Sequence, residues 1–209
     1  MNSSTSSKIY LFILTLIAWF ALGLQFGLSL ARFNGNILAT FELYLSFFTI
    51  LTNILVAVCC IFMLSWNQTR WGIFFNKAST ATAIATYILV VGLIYNVALR
   101  GLVSQKGWDR VADELLHVAT PVLFLVFWFV FVNKRQLAYK NALNWLAYPL
   151  AYVVFIIIRG YLIQKYPYPF IDAVKIGYPN ALLNTAIILI IFYLLSLLFI
   201  FISKQISKP

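Results

Sequence analysis

Six apolar runs separated by short polar connectors organise the chain, at about 9–30, 43–65, 78–99, 115–132, 143–160 and 180–202. A helix needs roughly 20 mostly apolar residues to cross the hydrocarbon of a bilayer, and each run approaches or exceeds that length. The pattern predicts an all-α, polytopic integral membrane protein with six transmembrane helices in one bundle. The connectors are 31–42, 66–77, 100–114, 133–142 and 161–179. Six crossings use most of the 209 residues, so the chain reads as a single transmembrane domain over 1–209. The first run is longer than a signal h-region and lacks a small-x-small cleavage pattern, so it reads as a retained helix. The fifth connector, QKYPYPFIDAVKIGYPN, is rich in proline and aromatics and predicts a loop packed against the mouth of the bundle.

Composition strengthens this reading. Apolar residues make up 63% of the chain and charged residues 10%, with mean hydropathy +0.93, outside the range of soluble domains. Trp66, Trp71, Trp108, Tyr139, Trp145 and Tyr161 lie near helix edges, as interfacial belts require. The net charge of +10 is spread over helix ends and connectors. That distribution points to anionic lipid headgroups and not to nucleic acid. Membrane lipids are the expected partners.

Loop charge sets the expected orientation. Lys8, Arg70, Lys77, Lys134, Arg135, Lys140, Lys204 and Lys208 share one side, and the other carries Arg32, Arg100, Lys106, Arg110, Arg159, Lys165 and Lys175. Arg100 and Arg159 end helices and are discounted as bundle-facing. The remainder favours cytoplasmic termini in the cell membrane. Glu42, Asp109, Asp113, Glu114 and Asp172 all fall on the opposite, non-cytoplasmic side, which therefore mixes both signs.

Polar groups inside the helices carry the candidate chemistry. Glu42, Ser46, Thr49 and Asn53 recur at i, i+4, i+7 and i+11, a narrow stripe on one side of a continuous helix. Such a stripe is costly to face lipid and so points inward. In the run GWDRVADELLHVATP, Asp113, His117 and Thr120 share one face, with Glu114 three before His117. His117 is the only histidine. A neutral imidazole accepts a proton from a hydroxyl, and a carboxylate one turn away sets its tautomer. Asn96 and Arg100 lie four apart on the third helix, and Tyr148, Tyr152, Phe155 and Arg159 align on the fifth. Turned inward, the arginines would form a collar for a carboxylate or phosphate. The bland alternative makes each of these a packing bond, a back-bond to a carbonyl or a snorkelling cation. Cys59 and Cys60 are adjacent in an apolar run and read as packing residues, and no cofactor or metal site is expected.

Three stretches, LSFFTILTNILVAV (45–58), LRGLVSQKGWDRVADELLHVATPVLF (99–124) and YPYPFIDAVKIGYPNALLN (166–184), resemble the prokaryotic six-pass membrane protein family. That family is related to the androgen-induced protein and the androgen-dependent TFPI-regulating protein. The eukaryotic relatives are intramembrane threonine hydrolases of fatty acid esters of hydroxy fatty acids. By position, the resemblance implies Thr49 in F-F-T as nucleophile and His117 in L-L-H as base. The V-A-T-P that follows His117 differs from the eukaryotic members, so substrate identity does not carry over.

Three classes follow, the blandest a structural membrane protein whose polar stripes only glue helices. The first is a threonine-type hydrolase of lipid esters, with Thr49, His117 and Asp113 (or Glu114 in its place) at the reacting centre. Asn53, Asn96, Arg100, Tyr152 and Arg159 would contact the fatty-acyl substrate. The second is a non-enzymatic protein that binds or transports lipids or small amphiphiles through a one-sided outer cavity.

Overall fold

A computed structural model describes residues 4–102, 105–135 and 137–206. Its regular elements are all helical. They are α1 (Thr5–Arg32), α2 (Ile37–Tyr44), α3 (Phe48–Leu64), α4 (Arg70–Phe75), α5 (Ala78–Ile94), α6 (Gly107–Glu114), α7 (Thr120–Phe131), α8 (Asn141–Trp145), α9 (Ala147–Ile163), α10 (Ala173–Ile176) and α11 (Tyr178–Ile206). Wide π turns extend α5 through Tyr95–Leu99 and join α6 to α7 through Leu115–Ala119. Five stretches are long and apolar enough to cross a bilayer: Thr5–Arg32, Ala78–Leu99, Gly107–Phe131, Asn141–Ile163 and Tyr178–Ile206. α2 and α3 together make a sixth if counted as one span. The protein is an all-α polytopic membrane protein.

The second span departs most from its sequence pattern. Where periodicity predicts one helix over 43–65, the chain bends by 89° between α2 and α3. No glycine or proline marks the break. Tyr44 instead donates its hydroxyl to the Leu22 carbonyl at 2.7 Å, tying the end of α2 to α1. Ser46 bonds back to the Glu42 carbonyl, a bond that competes with regular helix geometry. Phe47 is extended (φ −89°, ψ 126°) and starts α3 anew. The four-residue stripe is therefore split. Glu42 lies exposed on α2 and Ser46 in the break, while Thr49 and Asn53 keep their i, i+4 spacing on α3.

The fourth span also begins earlier than its apolar run. Asp109, Asp113 and Glu114, expected largely in a connector, lie on α6. The charged turn hides the helix from a hydropathy reading, although it continues without interruption into the span.

The chain, read from its sequence as one domain, divides into two compact units at Gln136/Leu137. In the first, α1 packs on α3 and α7, α3 on α5, and α5 on α7, closing a ring of four spans. Small residues at the α1–α3 contact (Ala18, Ala21 and Ala57, all fully buried) let the backbones approach closely. Trp128 on α7 donates to the Thr82 hydroxyl on α5 at 2.9 Å, and Tyr10 on α1 donates to the Leu123 carbonyl at 3.0 Å. Lys134, just beyond α7, donates to the Phe129 and Val132 carbonyls at 2.8 Å each and lies 4.8 Å from the Trp128 ring. Burial lowers its ammonium pKa.

In the second unit α11 packs on α8, α9, α10 and the short turn Pro169–Ile171. The expected loop over 161–179 is partly structured. Asp172 caps α10 by accepting from the Lys175 N–H, and Asn184 on α11 donates to the Phe170 carbonyl at 2.8 Å. Gly160 on α9 lies under the Tyr166 ring, where any Cβ would collide.

Candidate functional site

Proline shapes the segment that carries His117. Pro121 has no N–H and its ring crowds the carbonyl four residues back, which is that of His117. The helix widens here, and the Thr120 N–H reaches the Leu115 carbonyl instead of that of Leu116. Two carbonyls thus lose their usual partners. That of His117 faces Gly92 on α5, where a Cβ would sit 3.2 Å from the oxygen. That of Leu116 accepts from the Asn53 side chain on α3 at 3.2 Å. The same Asn53 nitrogen donates to the Thr49 carbonyl at 2.9 Å. One buried amide therefore joins the backbone of Thr49 to that of the residue preceding His117.

Around the imidazole the geometry is specific. His117 Nδ1 lies 3.0 Å from the Asp113 carboxylate oxygen Oδ1 and 2.9 Å from the Asp113 carbonyl. Both neighbours are acceptors, so Nδ1 carries the proton in the neutral ring and Nε2 keeps the lone pair. Tyr95 stacks on the ring with centroids 4.0 Å apart and planes at 16°. Its hydroxyl donates to the second oxygen of Asp113. Above it, Arg100 lies 5.2 Å from the Tyr95 ring centre and pairs with Glu114 at 2.7 Å. Arg32 pairs with Asp109. The two adjacent carboxylates are thereby distinguished: Asp113 serves His117, and Glu114 serves Arg100.

Among the residues singled out from the sequence, Asp113 and His117 meet directly. Thr49 is buried, 8% exposed, and occupies the first turn of α3 because of the bend. The initial N–H groups of a helix have no acceptor within its own ladder, and the N-cap position here is Phe47, whose side chain makes no cap bond. Asn53 is fully buried with its amide hydrogens directed at two carbonyls. Asn96 is exposed and bonds back to the Gly92 carbonyl at 2.7 Å. Tyr152 and Arg159 belong to the second unit. There Tyr152 is half-buried on α9, and Arg159 donates to the Lys165 carbonyl at 3.4 Å. Tyr95 is the residue around the imidazole that sequence reasoning missed. It precedes Asn96 in the same helix end, and only the π turn there swings it over His117.

An open groove of ≈390 Å³ runs along the outer side of this segment, from Gly107, Arg110 and Glu114 to Val118 and Ala119. Its lining is mostly apolar and includes neither Thr49 nor His117. Among the described residues, no group of three or more His, Cys, Asp or Glu side chains is arranged to hold a metal ion. No family model, curated protein or solved structure matches the chain.

Proposed function

We propose that this protein is an intramembrane hydrolase of lipid esters, with Thr49 as nucleophile and His117 as general base. The observation that carries the reading is the Asp113–His117 contact at 3.0 Å, braced by the Tyr95 hydroxyl on the other carboxylate oxygen. A hydroxyl is a weak nucleophile until a base takes its proton, and a carboxylate on Nδ1 orients the imidazole for that task. Thr49 Oγ1 attacks the acyl carbonyl while Nε2 accepts its proton. Collapse of the tetrahedral adduct expels the alcohol, which takes the proton from Nε2 and leaves an acyl-threonine. Water, deprotonated by Nε2, then releases the fatty acid and restores Thr49.

The bend before α3 supports this assignment. It turns a mid-helix threonine into one at a helix N-terminus, where backbone N–H groups and the helix dipole favour developing negative charge. The Asn53 hydrogens are committed to two backbone carbonyls and Asn96 is bonded to its own helix, which leaves neither amide placed as an oxyanion donor. The mostly apolar groove along Gly107–Ala119, with Arg110 and Glu114 in its lining, suits the apolar chain of an amphiphile. That same groove favours a second reading, in which the protein binds or carries amphiphiles without a covalent step.

The likeness of the three motif stretches to the prokaryotic six-pass family and its hydrolase relatives agrees with the first reading; the long apolar spans support a membrane location, which we take to be the cell membrane. Cytoplasmic termini follow from the basic excess in the connectors after α3 and α7 and at the chain ends. A C-terminal fusion to green fluorescent protein would glow and one to periplasmic alkaline phosphatase would be inactive; the reverse pair of results inverts the topology.

The deciding experiment is labelling of the purified protein by a long-chain fluorophosphonate. Wild type is expected to label, and Thr49→Ala and His117→Ala, each monodisperse, to label at background. Equal labelling of all three proteins, or none of well-folded wild type, removes the hydrolase reading and leaves the amphiphile binder.

A further inference from the structure

Two buried polar atoms in the first unit have no protein hydrogen-bond partner among the described residues: Asn53 Oδ1 and Thr120 Oγ1. Both residues are fully buried. They are linked by geometry. Asn53 Nδ2 lies 3.2 Å from the Leu116 carbonyl, and Thr120 closes the π turn that contains Leu116. In an ordinary helix a threonine hydroxyl donates to the carbonyl four residues back, as Thr82 and Thr86 do on α5. Thr120 does not, because the π turn displaces that carbonyl and Asn53 occupies it. An acceptor on α3 and a hydroxyl at the start of α7 are thus left without partners on the two segments that the Asn53–Leu116 bond joins. The nearby buried side chains Leu116, Phe124 and Ile50 are apolar and satisfy neither.

We infer that Asn53 Oδ1 and Thr120 Oγ1 together form an internal binding site for one water molecule, which joins α3 to the start of α7. The two atoms match water: it donates to the amide oxygen and either accepts from the hydroxyl or donates to it. Leaving both bare in a protein interior would be costly, and internal waters serve such pairs. The ligand is neutral because its two partners are neutral. Asn53 then grips the π turn at two points, Leu116 directly and Thr120 through water. This site does not depend on any catalytic role for Thr49 or His117.

The sign of one substitution tests the inference. Thr120→Val is nearly isosteric and removes only the hydroxyl. If the hydroxyl holds water, the full-length protein in detergent should melt about 2–4 °C lower. If the hydroxyl is bare, its removal raises the melting temperature or leaves it unchanged, and that result overturns the site. Thr120→Val should also cost less in an Asn53→Leu background than in wild type, because the shared water is already lost; equal costs mean the two atoms do not share it. Should Asn53→Leu fail to fold, a water-to-methyl nuclear Overhauser effect at the Thr120 methyl of wild type decides the question. A cross-peak is expected, and its absence rejects the water.

Discussion

The polar groups that cross between helices in the first unit contrast with the buried hydroxyls of α11 in the second. In the first, polar groups reach across to other helices: Tyr44 to Leu22, Asn53 to Leu116, Trp128 to Thr82 and Tyr95 to Asp113. On α11 in the second, Thr185, Ser196 and Ser203 bond to carbonyls four residues back on the same helix. A back-bond satisfies a hydroxyl locally and says nothing about chemistry. A bond that crosses between helices fixes register, and register is what brings His117, the Asp113 carboxylate and the helix bearing Thr49 together. The contrast explains why equally polar spans deserve unequal weight as functional candidates.

The largest effect that tests this contrast is expected at Asp113. Asp113→Asn should slow fluorophosphonate labelling by about 10²–10⁴-fold through loss of imidazole orientation. Glu114→Gln should stay within several-fold, because Glu114 serves Arg100. Similar losses in both variants would erase the distinction between the two carboxylates.

Asn53→Ala comes next. It leaves the Leu116 carbonyl without its cross-helix donor, and a cost of about 2–4 kcal/mol in denaturant unfolding is expected. A cost near zero would mean that the bridge between α3 and the π turn contributes nothing to register.

Glycines give a smaller and cleaner comparison. Gly92→Ala places a methyl 3.2 Å from the His117 carbonyl and should cost about 1–3 kcal/mol. Gly27→Ala, with nothing within 4 Å of its added carbon, should be stabilising by about 0.5–1 kcal/mol. Melting curves of the two variants in the same detergent suffice. Equal shifts would show that α5 does not press on the π turn.

The smallest effect belongs to the second unit. Ser196→Ala should lie within about 0.5 kcal/mol of wild type, since its hydroxyl serves only its own helix at 2.7 Å. A loss above about 2 kcal/mol would reveal a cross-helix role there and weaken the contrast.

Much of the arrangement around His117 was legible beforehand because it is local. The i, i+4 spacing of Asp113 and His117 needs only a helix, and that helix forms. The spacing left Glu114 as an equal alternative to Asp113, and the Tyr95 brace and the Arg100 partnership, both from α5 and its terminal turn, separated them. The four-residue stripe of the second span was misleading for a physical reason. Periodicity assumes a continuous helix, and the Tyr44–Leu22 bond and the Ser46 back-bond break that helix without any glycine or proline to announce it. Asn53 and Thr49 were rightly placed on one face, but Asn53 proved to be a structural bridge with its donors committed to backbone.

Burial of apolar surface scales with composition, and a bilayer demands a minimum helix length. The apolar runs and the all-α class could therefore be read from residue order alone, but not that the second run is two helices at 89°. Where those spans bend, which carboxylate meets the imidazole, and how the helix bearing Thr49 is tied to the turn bearing His117 were decided by contacts between residues tens of positions apart. Hydrogen bonds there are short-ranged and directional, and their partners exist only once the helices have packed.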